Sequence, residues 1–167
     1  MLHHGGRCAL IAGLLVAAVS TTHAQAPTTK ASRFTLWIGG GYGLGAAGQY
    51  ESLEEAFTLN VSAQHGHLLL STRIAAVTSS IYDASSDWGL LAGVASSPAG
   101  PIHVGAALGL GYAEATPSEG VFTVPWELQL FWRPTGFVGV GLYGFASLNG
   151  TDSFGGATLA FQLGRLR

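Results

Sequence analysis

The three histidines beyond residue 25 are the side chains best suited to acid–base chemistry. A serine nucleophile needs a base, usually histidine, within hydrogen-bond reach. The strand pattern puts the histidines at one end of the molecule and the serines and aspartates of an outer active site at the other. We therefore predict no catalytic residues and no enzyme activity. The histidines at the first end are His65, His67 and His103. The serines and aspartates at the opposite end are Ser80, Asp83, Ser85, Ser86 and Asp87.

The same histidines form a weak metal-binding pattern, because the spacing His65-Gly66-His67 lies in a turn and turns are naturally polar. Acidic loops could hold Ca²⁺ or Mg²⁺ through oxygen ligands, but a solvated acidic rim is the default interpretation. Cys8 is the only cysteine. Gly39–Gly43 opens no helix and so is not a nucleotide loop. We predict no metal and no cofactor.

Two charged residues lie in the middle of predicted strands. Arg73 alternates in phase with Ser71, and Glu127 with Thr123 and Gln129, so both should face away from the apolar side of the sheet. Buried charges require partners. We predict an ion pair between Arg73 and Glu127, either a gate across a narrow pore or, as we favour, a polar plug. The interior network predicted around it contains Arg73, Glu127, Asn60, Gln129 and Gln64.

The composition excludes several classes of protein. The 167 residues include only 7 Lys and Arg and 9 Asp and Glu, yet 48 % are hydrophobic. A net charge of −2 argues against nucleic-acid binding. No apolar run approaches the ~20 residues of a membrane-spanning helix. The run 9–19 instead predicts a signal peptide over 1–24, cleaved after Ala24 or alternatively after Ala26, and a polar extension over 25–32.

Alternation of apolar and polar residues indicates an all-β fold. In 57–64, the residues Phe57, Leu59, Val61 and Ala63 alternate with polar neighbours. The pattern predicts an eight-stranded antiparallel up-and-down transmembrane β-barrel over 33–167, with a bulge at Pro125. The predicted strands are 33–44, 54–64, 67–78, 86–96, 101–113, 120–132, 136–147 and 153–164.

The connections between these strands predict two unlike ends. One end, here called the turn end, has short turns at 65–67, 97–100 and 134–136; the other, the loop end, has longer segments at 45–53, 79–85, 114–119 and 148–152. The charges divide in the same way, as expected if every strand crosses hydrocarbon; a soluble β-sandwich predicts no division. The acids assigned to the loop end are Glu51, Glu54, Glu55, Asp83, Asp87, Glu114, Glu119 and Asp152. The bases assigned to the turn end and the termini are Lys30, Arg33, Arg133, Arg165 and Arg167.

Aromatic residues near the strand ends predict two interface girdles. The girdle at the loop end contains Phe57, Trp88, Tyr112, Phe122 and Phe154, and that at the turn end contains Phe34, Trp132 and Phe161.

With these features the chain resembles the small eight-stranded outer-membrane β-barrels of Gram-negative bacteria, the OmpA/OmpX-like group. Gly156–Phe161 is similar to their final-strand assembly signal, although six residues follow Phe161. The resemblance implies residence in the cell outer membrane and contact with outer-membrane lipids, lipopolysaccharide and the assembly machinery, with a monomer as the simplest state. It implies a structural or surface-interaction role; the alternatives are a narrow channel for small solutes or a lipid-modifying enzyme.

Overall fold

The computed structural model describes residues 34–48, 52–80, 83–115, 118–150 and 153–167. The predicted signal peptide 1–24, the extension 25–32, Lys30, Arg33, Glu51 and Asp152 lie outside the described residues, as do the side chains of Asp83 and Glu119. No helix in the described part of the chain is both long and apolar enough to cross a membrane.

Eight antiparallel strands close into a barrel in which each strand pairs with its sequence neighbours and β8 pairs with β1. The prediction of an eight-stranded antiparallel barrel is confirmed, with strand limits within three residues of those predicted. The strands are β1 (Phe34–Ala47), β2 (Glu54–His65), β3 (Leu68–Ser80), β4 (Asp83–Ala95), β5 (Ile102–Ala115), β6 (Ser118–Trp132), β7 (Val138–Leu148) and β8 (Phe154–Arg165).

The strands are strongly staggered. A path of paired residues that leaves β6 at Trp132 passes through β7, β8 and β1 to β5, and returns to β6 at Phe122, ten residues away. Such a stagger in an eight-stranded barrel tilts the strands by roughly 40° and leaves a lumen that side chains can fill.

The strands extend beyond the predicted limits at the loop end. β4 begins at Asp83 rather than at residue 86, so only residues 81–82 join it to β3, and only 116–117 join β5 to β6. Two of the four connections at the loop end are therefore shorter than predicted. The extra length also moves Asp87 from the rim into the wall of the barrel.

The outer surface of the barrel is apolar, and the buried charged and amide side chains lie inside it. Large apolar side chains such as Leu110 and Phe122 point outward, with 76 % and 86 % of their surfaces exposed. Among the residues that point inward are fully or almost fully buried polar groups, Arg73, Glu127 and Gln129 among them. This is the reverse of a water-soluble barrel.

Inward-facing glycines make room for neighbouring side chains. A Cβ added to Gly139 would lie 3.2 Å from both Arg133 Cγ and Gln162 Oε1. One added to Gly105 would lie 3.3 Å from the His103 Nε2 atom. Side chains as large as Arg133 and His103 therefore lie beside glycines that leave space for them.

Two local predictions differ from the structure. Phe154, assigned to the girdle at the loop end, is buried in the barrel with its ring 6.3 Å from that of Phe145. This reflects strand phase, since Phe154 shares the inward phase of Thr158 and Gln162. The bulge expected at Pro125 does not form, because the pairings on either side of it keep one register.

Candidate functional site in the barrel interior

Arg73 is the central cation of the lumen and forms a salt bridge with Asp87, in which both side chains are fully buried. Its guanidinium also donates to the carbonyl oxygens of Trp126 and Ala146. Arg73 on β3 therefore ties together β4, β6 and β7 across the barrel. Its ring contact with Phe145, at 5.7 Å from Cζ to the centroid, adds a cation–π interaction.

The predicted ion pair between Arg73 and Glu127 is wrong, because Arg73 pairs with Asp87 instead. The assignment of Asp87 to the rim is also wrong: β4 begins three residues earlier than predicted, so Asp87 lies inside the strand, in the inward phase of Ser85 and Gly89. Asp87 lies two residues from Gly89, the register partner of Arg73 on the neighbouring strand. Asp87 therefore lies within direct reach of the guanidinium.

Glu127 is held instead by neutral donors. The Ser71 hydroxyl donates to Oε2 at 3.1 Å, and the Gln129 amide donates to Oε1 at 2.9 Å. The Tyr143 hydroxyl donates to Oε2 as well. These three donors give both carboxyl oxygens of the buried side chain a hydrogen-bond partner.

Asn60 joins this cluster through hydroxyl groups. Its amide donates to Ser62 Oγ at 2.7 Å, and Ser62 Oγ lies 3.0 Å from Ser71 Oγ. Four of the five predicted network residues thus lie in the middle of the lumen, with Asn60, Glu127 and Gln129 in one hydrogen-bonded chain and Arg73 bound to Asp87.

Gln64, the fifth predicted network residue, lies at the turn end, away from this cluster. Its amide nitrogen donates at 2.7 Å to both the Gly66 and Ser96 carbonyl oxygens, which lie in connections at the turn end. It therefore fastens two turns together, and no hydrogen bond of the described residues joins it to Glu127.

A second chain of hydrogen bonds leads from Glu127 toward the turn end. Gln162 Nε2 donates to Gln129 Oε1 at 3.3 Å, and Arg133 Nε donates to Gln162 Oε1 at 3.0 Å. His103 Nε2 lies 3.2 Å from the same Gln129 oxygen, which makes this nitrogen the donor. Two glutamines thus link a buried carboxylate to a buried guanidinium.

Arg133 lies just beyond β6 and is fully buried, although it was predicted to sit on the rim. Its guanidinium stacks on the Trp37 ring at 4.8 Å. Burial, with a smaller effect from Arg167, lowers the pKa of Arg133 to about 10, so the group stays protonated at neutral pH. The sequence analysis did not include Tyr143 and Gln162 in the interior network. Their inward direction could have been found from strand phase, since both alternate with outward-facing leucines.

The three histidines do not come together. His103 is buried beside Trp37, with ring centroids 5.5 Å apart, whereas His65 and His67 are exposed at the turn end. His67 Nδ1 lies 2.9 Å from the Ala95 carbonyl oxygen. Within the described ranges, no three His, Cys, Asp or Glu side chains are grouped as a metal site would require.

Apolar side chains fill the lumen on both sides of the polar layer. Toward the loop end the buried cluster includes Val77, Phe145 and Phe154. Toward the turn end it includes Trp37 and Leu166. The described part of the lumen is therefore a layered core in which charge is confined to the middle and to Arg133.

Comparison with known proteins shows a likeness of fold only. No protein-family model matches the sequence, and no curated protein matches it. Among solved structures, Ail, the attachment invasion locus protein of Yersinia pestis, matches with a TM-score of 0.53 and 12 % identity, over 80 % of this chain and 99 % of that chain. Ail in complex with the heparin analogue sucrose octasulfate matches with the same TM-score and coverage at 13 % identity. The resemblance to small eight-stranded barrels is thus confirmed for the fold.

Proposed function

We propose that this chain is an integral protein of the Gram-negative outer membrane, with a structural and surface-contact role. The observation that carries the proposal is the reversed polarity of the barrel: large apolar side chains cover its outer surface, and charged and amide groups fill its interior. An exposed apolar surface around a whole barrel has no place in water, where patches beyond a few hundred Å² are rare. Hydrocarbon is the solvent that fits it.

The strand lengths support the same placement. The strands contain 11 to 15 residues, somewhat more than the ~9–11 that a tilted strand needs to cross a bilayer. Aromatic rings form a belt near the loop end, where Trp88, Tyr112 and Phe122 are register neighbours on three strands. Such belts lie at membrane interfaces.

Fractionation of a Gram-negative host that expresses the full chain tests this placement. We expect the protein in the outer-membrane fraction, released only by detergent, and with heat-dependent migration on gels. Recovery in the soluble periplasm without detergent would overturn the proposal.

We further propose that the loop end faces outward and contacts cationic partners. In outer-membrane barrels the short turns face the periplasm. With Asp87 in the lumen, seven acids remain in the sequence at the loop end, which carries no Lys, Arg or His from residue 48 to 55, 79 to 85, 113 to 121 or 148 to 154. A surface of this charge would repel a sulfated polymer, so its partners should differ in sign from the sucrose octasulfate bound to Ail.

Binding to reconstituted protein tests the sign of the partner. We expect oligolysine to bind proteoliposomes at low salt, heparin not to bind, and the triple variant Glu54→Gln, Glu55→Gln, Glu114→Gln to bind oligolysine several-fold more weakly. Arg165→Gln, at the turn end, is the matched control and should bind as the parent does. Equal binding by the triple variant, or preference for heparin, would contradict the proposal.

The narrow-channel alternative rests on the polar layer around Arg73 and Glu127. Against it stand the apolar groups on either side, Phe145 and Phe154 on one and Trp37 and Leu166 on the other. We expect no steady conductance in planar bilayers. Conductance steps that change with Glu127→Gln would favour the channel.

Outer-membrane lipids, lipopolysaccharide and the assembly machinery are the partners that this placement entails, and we propose no enzymatic activity. Mass spectrometry of lipid A from cells with and without the protein should give the same pattern. A new or missing acyl chain would favour a lipid-modifying enzyme instead.

A further inference from the structure

The last described residues fold across the turn end of the lumen. Gly164 has φ of +146°, and Leu166 beyond it is fully buried rather than facing outward. Gly164 N donates to the Phe137 carbonyl at 3.0 Å, and Leu166 N donates to the Gly136 carbonyl at 2.7 Å. Residues 164–167, here called the closing segment, thus follow the β6–β7 connection inward.

Arg133 holds the closing segment from inside the barrel. Its NH1 group donates to the Leu166 carbonyl at 3.3 Å, while its Nε donates to Gln162. In return, Arg167 donates to the carbonyl oxygens of Arg133 and Thr135. Each arginine therefore fixes the backbone beside the other, and the Leu166 side chain packs in one apolar cluster with Trp37 and Leu69.

The lumen behind this segment contains unpartnered polar groups. Within the described residues, six such buried side-chain atoms lie in the half of the barrel near the turn end; one is Nε of Arg167 in the closing segment itself, and the other five belong to residues of the lumen. All five belong to residues with at most 1 % of their surface exposed. They are Thr35 Oγ1, Trp37 Nε1, Gln64 Oε1, His103 Nδ1 and Arg133 NH2.

These atoms combine donors with acceptors. Trp37 Nε1 and Arg133 NH2 can only donate, Gln64 Oε1 can only accept, and His103 Nδ1 accepts because Nε2 donates to Gln129. A mixed set of this kind suits water or a small neutral solute better than an ion. Buried polar groups are rarely left unpaired, since water commonly bridges them.

The surroundings favour the turn end as the way in. Toward the loop end the lumen holds the apolar side chains of Val77, Phe145 and Phe154, and the hydroxyl groups of Thr123 and Ser147 there are hydrogen-bonded to each other. At the turn end the closing segment, with Leu166 packed against Trp37 and Leu69, lies beside the polar groups.

We propose that the turn half of the lumen is a hydrated chamber whose mouth is closed by Leu166, and that Arg133 latches the segment in place. Water and small polar solutes enter from the turn end when the closing segment moves aside. With the closing segment in place, the polar layer around Glu127 is separated from the periplasmic side. This separation does not depend on a partner bound at the loop end.

Thiol accessibility tests the chamber in the full chain carrying Cys8→Ser, which then has no other cysteine. A reporter, Thr35→Cys, is placed behind the closing segment, and a small charged methanethiosulfonate reagent is added to folded protein in bilayers. We expect slow labelling in the parent. Leu166→Ala should accelerate labelling on the order of ten- to a hundredfold, as expected for loss of a buried leucine contact. Arg133→Gln, which keeps Leu166 but removes the latch, should accelerate it less.

Two controls make the test local. Leu163→Ala removes an outward-facing leucine of β8, three residues before Leu166, and should leave the rate unchanged. A second reporter, Val77→Cys, lies in the apolar half and should stay unlabelled in every background. Equal rates in Leu166→Ala and its parent, acceleration by Leu163→Ala, or labelling of Val77→Cys would each overturn the proposal.

Discussion

The carboxylate of Glu127 and the guanidinium of Arg133 are joined through two glutamine amides, with no direct salt bridge between them. Each amide donates toward Glu127 and accepts from the side of Arg133. The two charges therefore polarise the chain in the same direction, and aligned hydrogen bonds of this kind strengthen one another. The chain connects an acidic and a basic side chain that lie at different depths of the lumen.

Removal of either glutamine amide should break this chain. We expect Gln129→Leu and Gln162→Leu each to lower the free energy of unfolding by about 1–3 kcal/mol, because each leaves buried partners without hydrogen bonds. The double variant should cost less than the sum of the two. Urea unfolding in lipid vesicles, followed by tryptophan fluorescence, measures all three.

A second cycle is the control for this coupling. Thr123 forms its hydrogen bonds to Ser147 and Leu148 near the loop end, away from the glutamines. Gln129→Leu and Thr123→Val should therefore be additive within about 0.5 kcal/mol. Equal coupling in both cycles would mean that the interior responds as a whole rather than through a chain.

Arg73 should be coupled more strongly to Asp87 than to Glu127. Loss of one member of a buried pair leaves an uncompensated charge, so Arg73→Met should cost about 3–5 kcal/mol of unfolding free energy. Asp87→Leu in the same chain should restore part of this loss. The matched cycle with Glu127→Gln should show the smaller coupling; the reverse order would return the ion pair to Glu127.

The hydroxyl of Tyr143 should matter because it donates to a buried carboxylate. Tyr143→Phe is expected to lower the free energy of unfolding by about 1.5–3 kcal/mol, the range for hydrogen bonds to charged groups. Tyr112 lies on the outer surface with its ring 6.0 Å from that of Phe122. Tyr112→Phe is the control and should change stability by no more than about 0.5 kcal/mol.

Close strand packing should make one inward glycine intolerant of a methyl group. A Cβ at Gly93 would lie 2.0 Å from the Ala106 carbonyl oxygen and 2.5 Å from Ala107 Cα, both on the neighbouring backbone. We expect Gly93→Ala to cost about 1–3 kcal/mol through overpacking. Gly136→Ala, where nothing lies within 4 Å, should be neutral in the same unfolding assay. Equal effects at both sites would contradict this account.

The sequence was informative wherever a side chain's position depends on the phase of its own strand. Phase predicted that Arg73, Glu127 and Gln129 face inward, because a residue's side of the sheet alternates with every step along the chain. The same rule would have placed Tyr143 and Gln162 inside. The error at Asp87 arose from the limit of β4, since charged residues at a strand end can belong either to the loop or to the wall.

Alternation along the chain was enough by itself to establish eight strands, an apolar outer surface and a polar lumen, because each depends on local order. The partners inside the lumen depend on tertiary structure. Which charge meets Arg73 follows from the register between β3 and β4. Arg133 turns inward where Gly139 leaves space, and Leu166 turns inward after the positive φ of Gly164. These contacts join residues on different strands, and the alternation pattern within one strand contains no information about its contacts with another.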